Sequence, residues 1–274
     1  MKTIVFVIVL ALVVALASLV VLGALVFRDQ ARLDARLAAE PVGALRDDLP
    51  EAIRAFALRG LAGGAPAPAI RLEQAAEMRL KKGADWRALA ARQTIAIAQP
   101  GFAWVAQMRL GPVPLVRVLD AYENCEGLLE VRLFGALRLD ASTGPEMALG
   151  EGLRYLAELP WAPEAILVNR QIAWGQTPEG ITARIETAGG PAEVTFTLDA
   201  GGDIVSVLAR GRPAALSDGT PAALDWRGRF FDYAEIGGRR VPLGAEVGYD
   251  YPDGYEAYFR GRVTGYSLAA SAAS

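Results

Sequence analysis

The stretch TGPEMALGEGLRYLAELPW, residues 143–161, carries the strongest helix pattern in a region that otherwise favours strands. Thr143 and Glu146 have the spacing of a capping box, in which each side chain accepts a hydrogen bond from the other residue's backbone N–H. Pro145 suits the first helical turn, where a missing N–H costs nothing, and Pro160 predicts the end of the helix. The sequence therefore indicates both ends of this helix.

One broad face of the predicted helix is apolar. Its side chains recur at helical spacing, namely Leu149, Leu153, Tyr155, Leu156 and Leu159. Such a face must be covered, and β-rich stretches of comparable length lie on both sides of it in the chain. We therefore predict a central helix at about 144–159 that packs on a sheet built from both stretches.

The β-rich stretches alternate between apolar and polar residues, a period of two that predicts strands with one wet face. Before the helix, strands are predicted at 70–81, 93–98, 102–110, 115–122 and 128–139. After it, they are predicted at 171–175, 181–187, 192–199, 204–210, 224–236, 241–251 and 255–268. Glycine-rich connections such as Gly201-Gly202 predict tight hairpins and therefore antiparallel neighbours.

A sheet of this many strands rarely stays flat and open, so it should curl. We predict an α+β fold, mainly β, in which a large antiparallel half-barrel wraps on the central helix. This domain is expected to span residues 70–268.

Residues 4–27 form a run of 24 residues without a charge. A helix of that length, at about 1.5 Å per residue, crosses a bilayer core. A cleaved signal peptide is the alternative, but its apolar region would be about 7–15 residues long. We therefore predict a retained, single-pass transmembrane anchor, which makes the lipid bilayer a partner.

Residues 28–69 are predicted to form a helical stalk and a linker. Leu33 and Leu37 favour a helix that continues the anchor until Pro41. A second short helix is expected to be capped by Asp48 and closed by Gly60. The segment LAGGAPAPA that follows has the composition of a linker.

Composition excludes several function classes. The chain has 274 residues, a net charge of −3 and no basic cluster, which disfavours nucleic-acid binding. It contains no histidine, so Ser-His-Asp and Cys-His catalysis are excluded, and we predict neither a metal site nor a cofactor. Its one cysteine, Cys125, lies in a predicted hairpin turn and cannot form an intramolecular disulfide.

Several carboxylates fall on neighbouring predicted strands, namely Asp225, Asp232, Glu246 and Asp250. Two of them held close together could perform general acid–base chemistry. The alternative is pairing on the wet face with Arg227, Arg229, Arg239, Arg240, Arg260 and Arg262. We favour charge pairing, expect Arg240 to anchor Asp232, and predict no catalytic residue.

Large aromatic and apolar residues could line a groove for a lipid or another apolar ligand. The candidates are Trp104, Met108, Tyr155, Trp161, Trp174, Phe230 or Phe231, and Tyr258. Phe230 and Phe231 point to opposite faces of a regular strand, and Phe231 is the one we assign to the groove. The alternative is that these side chains simply fill the core.

A series of motifs resembles an uncharacterised bacterial family of membrane-associated proteins that is known only as a domain of unknown function. The motifs are PEAIRAF, PGFAWVAQMRL, TGPE followed by LRYLAELPWAP, FFDYAEIGGRRVPLGAEV and YFRGRVT, within residues 50–267. The implied shape is similar to the curved sheets of the LolA and LolB lipoprotein carriers and of the RseB sensor domain, which hold acyl chains. The family brings no catalytic residues that could be transferred to this chain.

We therefore predict a membrane-anchored, non-catalytic domain that binds a lipid, a lipoprotein acyl chain or a similar apolar ligand. The alternatives are a structural or sensory interaction domain with a self-filled concavity, and a carboxylate-based hydrolase. Arg28, Arg32 and Arg36 follow the span, so the positive-inside rule places the domain in the cytoplasm. The resemblance instead favours an extracytoplasmic domain.

Overall fold

One antiparallel sheet of 13 strands dominates the computed structural model, which describes residues 2–111, 113–216 and 218–269. The first half of the sheet comprises β1 (Ala69–Met78), β2 (Arg87–Ala96), β3 (Phe102–Leu110), β4 (Val113–Glu123), β5 (Glu126–Leu133) and β6 (Leu137–Ser142). The second half comprises β7 (Ala173–Thr177), β8 (Gly180–Thr187), β9 (Gly190–Leu198), β10 (Ile204–Ala215), β11 (Pro221–Ile236), β12 (Arg239–Tyr251) and β13 (Gly254–Leu268). The order across the sheet is β6-β5-β4-β3-β2-β1-β13-β12-β11-β10-β9-β8-β7. Neighbouring strands within each half are therefore consecutive in the chain and form hairpins, and the pairing of β1 with β13 joins the two halves.

Four helices accompany the sheet in this part of the chain: α1 (Lys2–Leu37), α2 (Glu51–Gly60), α3 (Pro145–Ala157) and α4 (Pro163–Val168). A 3₁₀ turn at Leu159–Trp161 connects α3 to α4. Helix α3 packs on β4 and β5 of one flank and on β8, β9 and β10 of the other. The predicted half-barrel around a central helix is therefore confirmed.

The two flanks of the sheet meet at the N-terminal end of α3. The backbone N–H of Ala188 donates to the carbonyl of Cys125 at 2.9 Å, which joins the β8–β9 turn to the β4–β5 turn. Two glycines permit this close approach. A Cβ at Gly127 would lie 2.6 Å from the carbonyl oxygen of Met147, and one at Gly189 would lie 1.9 Å from that of Pro145. Any larger residue at either position would push α3 away from the sheet.

The predicted helix caps are wrong in detail. The N-cap of α3 is Gly144, with φ of 103° and no side-chain hydrogen bond, so Thr143 lies one position too early for a capping box. The N-cap of α2 is Pro50, and the carboxylate of Asp48 accepts hydrogen bonds from Arg46 at 2.8 Å instead. In both cases a neighbouring residue occupies the capping position.

The predicted strand at 128–139 is in fact two strands. Phe134 and Gly135 adopt φ of 51° and 70°, which turns the chain between β5 and β6. The apolar pattern continues through this turn, so the periodicity of the sequence does not indicate that the strand ends there. Strand β2 also begins earlier than predicted, at Arg87, because it pairs with β1 along its whole length.

Helix α1 runs without a break from Lys2 to Leu37 and ends before Pro41. It is the one helix of the described residues that is long and apolar enough to cross a membrane. Its last turns lie on the outer face of the sheet, where Leu33 and Leu37 pack with Ala96, Ala103 and Ala121. The predicted stalk is therefore held against the β domain.

Candidate functional site

A cavity of about 120 Å³ lies between the C-terminal half of α3 and the concave face of the sheet. Its apolar walls include Trp104, Trp161, Val207, Trp226, Phe230 and Phe259. Its polar lining includes Asp120, Glu151, Arg154, Glu158, Arg212 and Tyr258. With apolar side chains on one side and charged ones on the other, this cavity is small and amphipathic.

Three of the residues predicted to line a groove line this cavity: Trp104, Trp161 and Tyr258. Two of them are fixed by hydrogen bonds, because the indole N–H of Trp104 donates to Gln74 Oε1 at 2.9 Å and that of Trp161 donates to the Pro242 carbonyl at 2.8 Å. The indole rings therefore have set orientations in the walls.

The remaining predicted residues lie elsewhere. Tyr155 is buried in the core, where its hydroxyl accepts a hydrogen bond from Asn169 Nδ2 at 3.0 Å. Trp174 stacks on Phe196, and Met108 packs against the core away from the cavity. Phe231 is 45% exposed on the opposite face of β11, and its neighbour Phe230 lines the cavity instead.

Arg154 holds the polar side of the cavity together. Its Nη1 lies 2.6 Å from Asp120 Oδ2, and its Nε lies 2.9 Å from Glu158 Oε1. Its guanidinium also stacks on the rings of Phe102 and Trp104 at 4.9 and 4.8 Å. The neighbouring carboxylates raise the pKa of Arg154 above its usual value against the effect of burial, so it stays charged.

Glu151 is the least satisfied carboxyl group of this cluster. It is 6% exposed, lies 4.0 Å from Arg154 Nη1, and its Oε2 has no hydrogen-bond partner. Burial, and then the nearby Asp120 carboxylate, raise its pKa to about 8. Glu151 is therefore mostly protonated at neutral pH.

We expect Glu151→Gln to raise the free energy of unfolding at pH 6 by about 2 kcal/mol, with little change at pH 4.5. The wild-type carboxyl ionises near 4.5 in the unfolded chain but only near 8 in the folded chain, so folding becomes less favourable as the pH rises between these values. Glutamine is neutral throughout and removes this loss. Denaturant unfolding at several pH values measures the effect.

The matched control is Glu146→Gln, which changes an exposed glutamate in the first turn of the same helix. Its effect should stay within about 0.5 kcal/mol at every pH. Equal pH profiles for the two variants would show that Glu151 ionises normally.

Arg212 is a buried cation whose hydrogen bonds, within the described part of the chain, go to no carboxylate. Its Nη1 donates to the hydroxyls of Tyr249 and Tyr258 at 3.2 and 3.5 Å, and its Nη2 donates to the Gly150 carbonyl at 3.1 Å. Its Nε has no partner. The Tyr258 hydroxyl also accepts from Trp226 Nε1 at 3.1 Å, so its own proton is available to a further acceptor.

Sequence reasoning missed Asp120, Glu151, Arg154, Glu158, Arg212 and Trp226. A signal was present on the helix, because Glu151, Arg154 and Glu158 are spaced by three and four residues and so share one face. The sequence pattern did not indicate that Arg212 is buried, because Arg212 lies at an irregularity of the β10–β11 pairing that periodicity does not predict.

The carboxylates considered for hydrolysis pair with arginines on the outer face. Asp232 lies 2.7 Å from Arg262, Glu246 lies 2.8 Å from Arg229, and Asp250 bonds to Arg227. Asp225 lies 3.5 Å from Arg210. The prediction that Arg240 anchors Asp232 is wrong, because Arg240 binds Asp203 at 2.7 Å. In the described part of the chain, no group of three or more Cys, Asp or Glu residues could hold a metal ion.

Fold and cavity together define a class of protein: an antiparallel half-barrel wrapped on a helix, with an amphipathic cavity beneath that helix. The chain belongs to a family of unknown function, DUF6544, whose model matches residues 41–261. The predicted resemblance to a family of unknown function is therefore confirmed. A search of curated proteins finds no match.

Two solved structures are similar in fold. One is a LolA superfamily protein from Nitrosomonas europaea, with 7% identity and a TM-score of 0.42, over 80% of this chain and 94% of that one. The other is described as an outer membrane lipoprotein-sorting protein domain, from Vibrio parahaemolyticus, with 8% identity and a TM-score of 0.41, over 80% and 93%.

Proposed function

We propose that this protein is a membrane-anchored, non-catalytic binding protein whose cavity receives the apolar end of a lipid or of another amphipathic molecule. The observation that carries the proposal is the lining of the cavity, which combines three tryptophans with a buried cation, Arg212, that hydrogen-bonds to no carboxylate among the described residues. Apolar pockets with a few convergent polar groups are the usual form of small-molecule sites.

The size of the cavity limits what can enter. An apolar cavity of about 150 Å³ admits benzene, and this one measures about 120 Å³. It therefore admits at most one ring or a chain end of roughly six carbon atoms. The remainder of a longer ligand would lie outside the cavity.

The polar side of the cavity favours a ligand with a hydrogen-bond acceptor. Arg212 supplies a positive charge, and the Tyr258 hydroxyl supplies a proton that its two described contacts do not use. The carboxylates of Asp120 and Glu158 are already bonded to Arg154. A carboxylate or an ester carbonyl would therefore be bound more favourably than an ammonium group.

We expect hexanoate to bind the full-length chain in lipid nanodiscs and to change the fluorescence of Trp104, Trp161 and Trp226. Each buried CH₂ contributes about 0.8 kcal/mol, so the dissociation constant should be on the order of 1 mM. Hexylamine should bind at least about tenfold more weakly. Titration of each probe into the same preparation measures both affinities.

A cavity-filling variant locates the binding. Ala157 lines the cavity and is 2% exposed, so Ala157→Leu should occupy the space and weaken hexanoate binding at least about tenfold. The matched control is Ala88→Leu, at an exposed position of β2, which should bind like the wild type. Equal affinities for the two variants would place the probe outside the cavity.

The second candidate function is a structural or sensory interaction domain. It is favoured by the filling of the concavity, where Trp104, Tyr155, Phe102 and Phe196 are fully buried. A wild-type chain that binds none of the probes would support this candidate. The extracytoplasmic location predicted for the β domain belongs to the proposal in either case.

A further inference from the structure

The contacts of α1 fix the direction in which the sheet faces the membrane. Phe27 lies 5.7 Å from the guanidinium of Arg117, and Gln30 accepts a hydrogen bond from the same side chain. Arg36, nine residues after Phe27 in α1, bonds to Glu123 at 2.8 Å. The helix therefore advances in the same direction as β4, and its apolar N-terminal part extends past the end of the sheet where β4 begins.

Among the hairpin turns at that end of the sheet are three whose residues are all described: the β1–β2 turn (79–86), the β5–β6 turn (134–136) and the β12–β13 turn (252–253). We call these turns the rim. Leu133 pairs with Val116, the residue before Arg117, so Phe134 lies about 7 Å beyond Arg117 towards the apolar part of α1. The rim therefore lies beside the predicted membrane span.

Large exposed apolar side chains concentrate at the rim. Six such residues occur among the described residues from 69 to 269: Leu80, Phe134, Leu137, Leu139, Phe231 and Tyr255. Leu80 and Phe134 lie in rim turns, and Leu137 and Tyr255 lie within one or two residues of them. The turns at the opposite end of the sheet carry none of the six. Exposed apolar side chains that cluster in this way mark an interaction surface.

The charges of the rim suit lipid headgroups. Lys81 and Arg138 are exposed next to Leu80 and Leu137, and Asp253 in the β12–β13 turn is bonded to Lys82. The rim turns carry one further exposed carboxylate, Asp85, so their basic side chains outnumber their acidic ones. Arg28 and Arg32 follow the apolar run of α1 and are also exposed. Basic and apolar side chains side by side are typical of surfaces that enter the interface of a bilayer.

We propose that the rim inserts Leu80, Phe134 and Leu137 into the interfacial region of the same bilayer that α1 spans. The inference rests on the membrane anchoring within the proposed function. The β domain is then held by two contacts, one through α1 and one through the rim. Its orientation relative to the membrane is therefore fixed.

The test places an environment-sensitive fluorophore, nitrobenzoxadiazole, at the two ends of one strand. Phe134→Cys in a Cys125→Ser background carries the label at the rim. The matched control is the unchanged chain labelled at Cys125, which is exposed and lies about 26 Å away at the other end of β5. Both full-length chains are reconstituted in vesicles of phosphatidylcholine and phosphatidylglycerol, with and without a lipid that carries a spin label near its headgroup.

We expect the spin-labelled lipid to reduce the emission at position 134 at least twofold, and the emission at position 125 by less than a tenth. Iodide in the buffer should show the reverse order. A label at position 134 that iodide quenches as strongly as the label at position 125 overturns the inference. So does a label that neither reagent reaches, because the chain itself then covers the rim.

A carbonate wash at pH 11 separates the two ways of failing. If the chain leaves the vesicles, the anchoring within the proposed function fails together with this inference. If the chain stays and the rim label remains in water, the inference alone fails. Leu80→Cys in the same background repeats the measurement on a second hairpin, in case Phe134→Cys does not fold.

Discussion

Replacing Glu164 by Leu is expected to lower the free energy of unfolding by about 3 to 5 kcal/mol. Glu164 is 0% exposed and Arg239 is 2% exposed, and Glu164 Oε1 accepts a hydrogen bond from Arg239 Nε at 2.6 Å. The substitution leaves a buried guanidinium without a counter-charge, which costs more than the pair itself contributes. Denaturant unfolding of the full-length chain, followed by tryptophan fluorescence, measures the loss.

The Glu164–Arg239 pair also contacts the linker, so the loss of stability tests whether Arg239 holds the linker in place. Arg239 also donates to the carbonyls of Leu61 and Ala65, so it connects α4, the linker and the start of β12. The double variant Glu164→Leu with Arg239→Met should recover part of the loss, because it removes the unpaired charge. The matched control is Asp232→Leu in the exposed pair with Arg262, which should cost less than about 1 kcal/mol. Similar losses for the buried and the exposed pair would contradict this account.

Replacing Arg154 by Met is expected to cost about 3 to 5 kcal/mol at pH 8 and less at pH 5. The variant leaves Asp120 and Glu158 without their cation while Glu151 stays beside them. Burial already raises the pKa of the Asp120 carboxyl, and the variant removes the guanidinium that lowers it. This pKa therefore rises further, and the variant loses stability as the pH rises towards it. Thermal unfolding of wild type and variant at both pH values measures the difference.

Arg210→Met provides the comparison for this result. Arg210 pairs with Glu179 and Asp225, but its side chain is 63% exposed, so its loss should cost less than about 1 kcal/mol at either pH. A cost for Arg154→Met that does not change with pH would mean that the buried carboxylates find other partners.

The architecture could be predicted from the sequence because it depends on periodicity. The helix at 143–161 and the alternating strands on both sides define which faces must be buried, and a curved sheet on a helix satisfies both. Strand ends were less predictable, because the turn at Phe134 uses a non-glycine residue at positive φ without a turn signature. The predictions of the helix caps were wrong because Pro50 and Gly144 occupy the N-cap positions, one or two residues after the predicted Asp48 and Thr143.

The cavity could not be predicted in the same way. Trp104 and Trp161 were identified by residue type, but Tyr155 and Trp174 are equally aromatic and pack elsewhere. Whether a large side chain fills the core or lines the cavity depends on how strands from distant parts of the chain are positioned. The buried charges of Arg154 and Arg212 were unexpected for a related reason, because their partners come from other elements.

The pairing of β1 with β13 in the middle of the sheet has a consequence for synthesis of the protein. About 180 residues separate these strands in the chain, so a ribosome adding about 5–20 residues per second needs about 10–40 s to supply the partner of β1. Until β13 has been synthesised, β1 is an edge strand whose backbone groups on one side are unpaired. Of the four residues of β1 that alternate with its core residues, three are charged, namely Arg71, Glu73 and Glu77, and the fourth is Ala75. Charged side chains discourage pairing with the wrong strand, so β1 is suited to this delay.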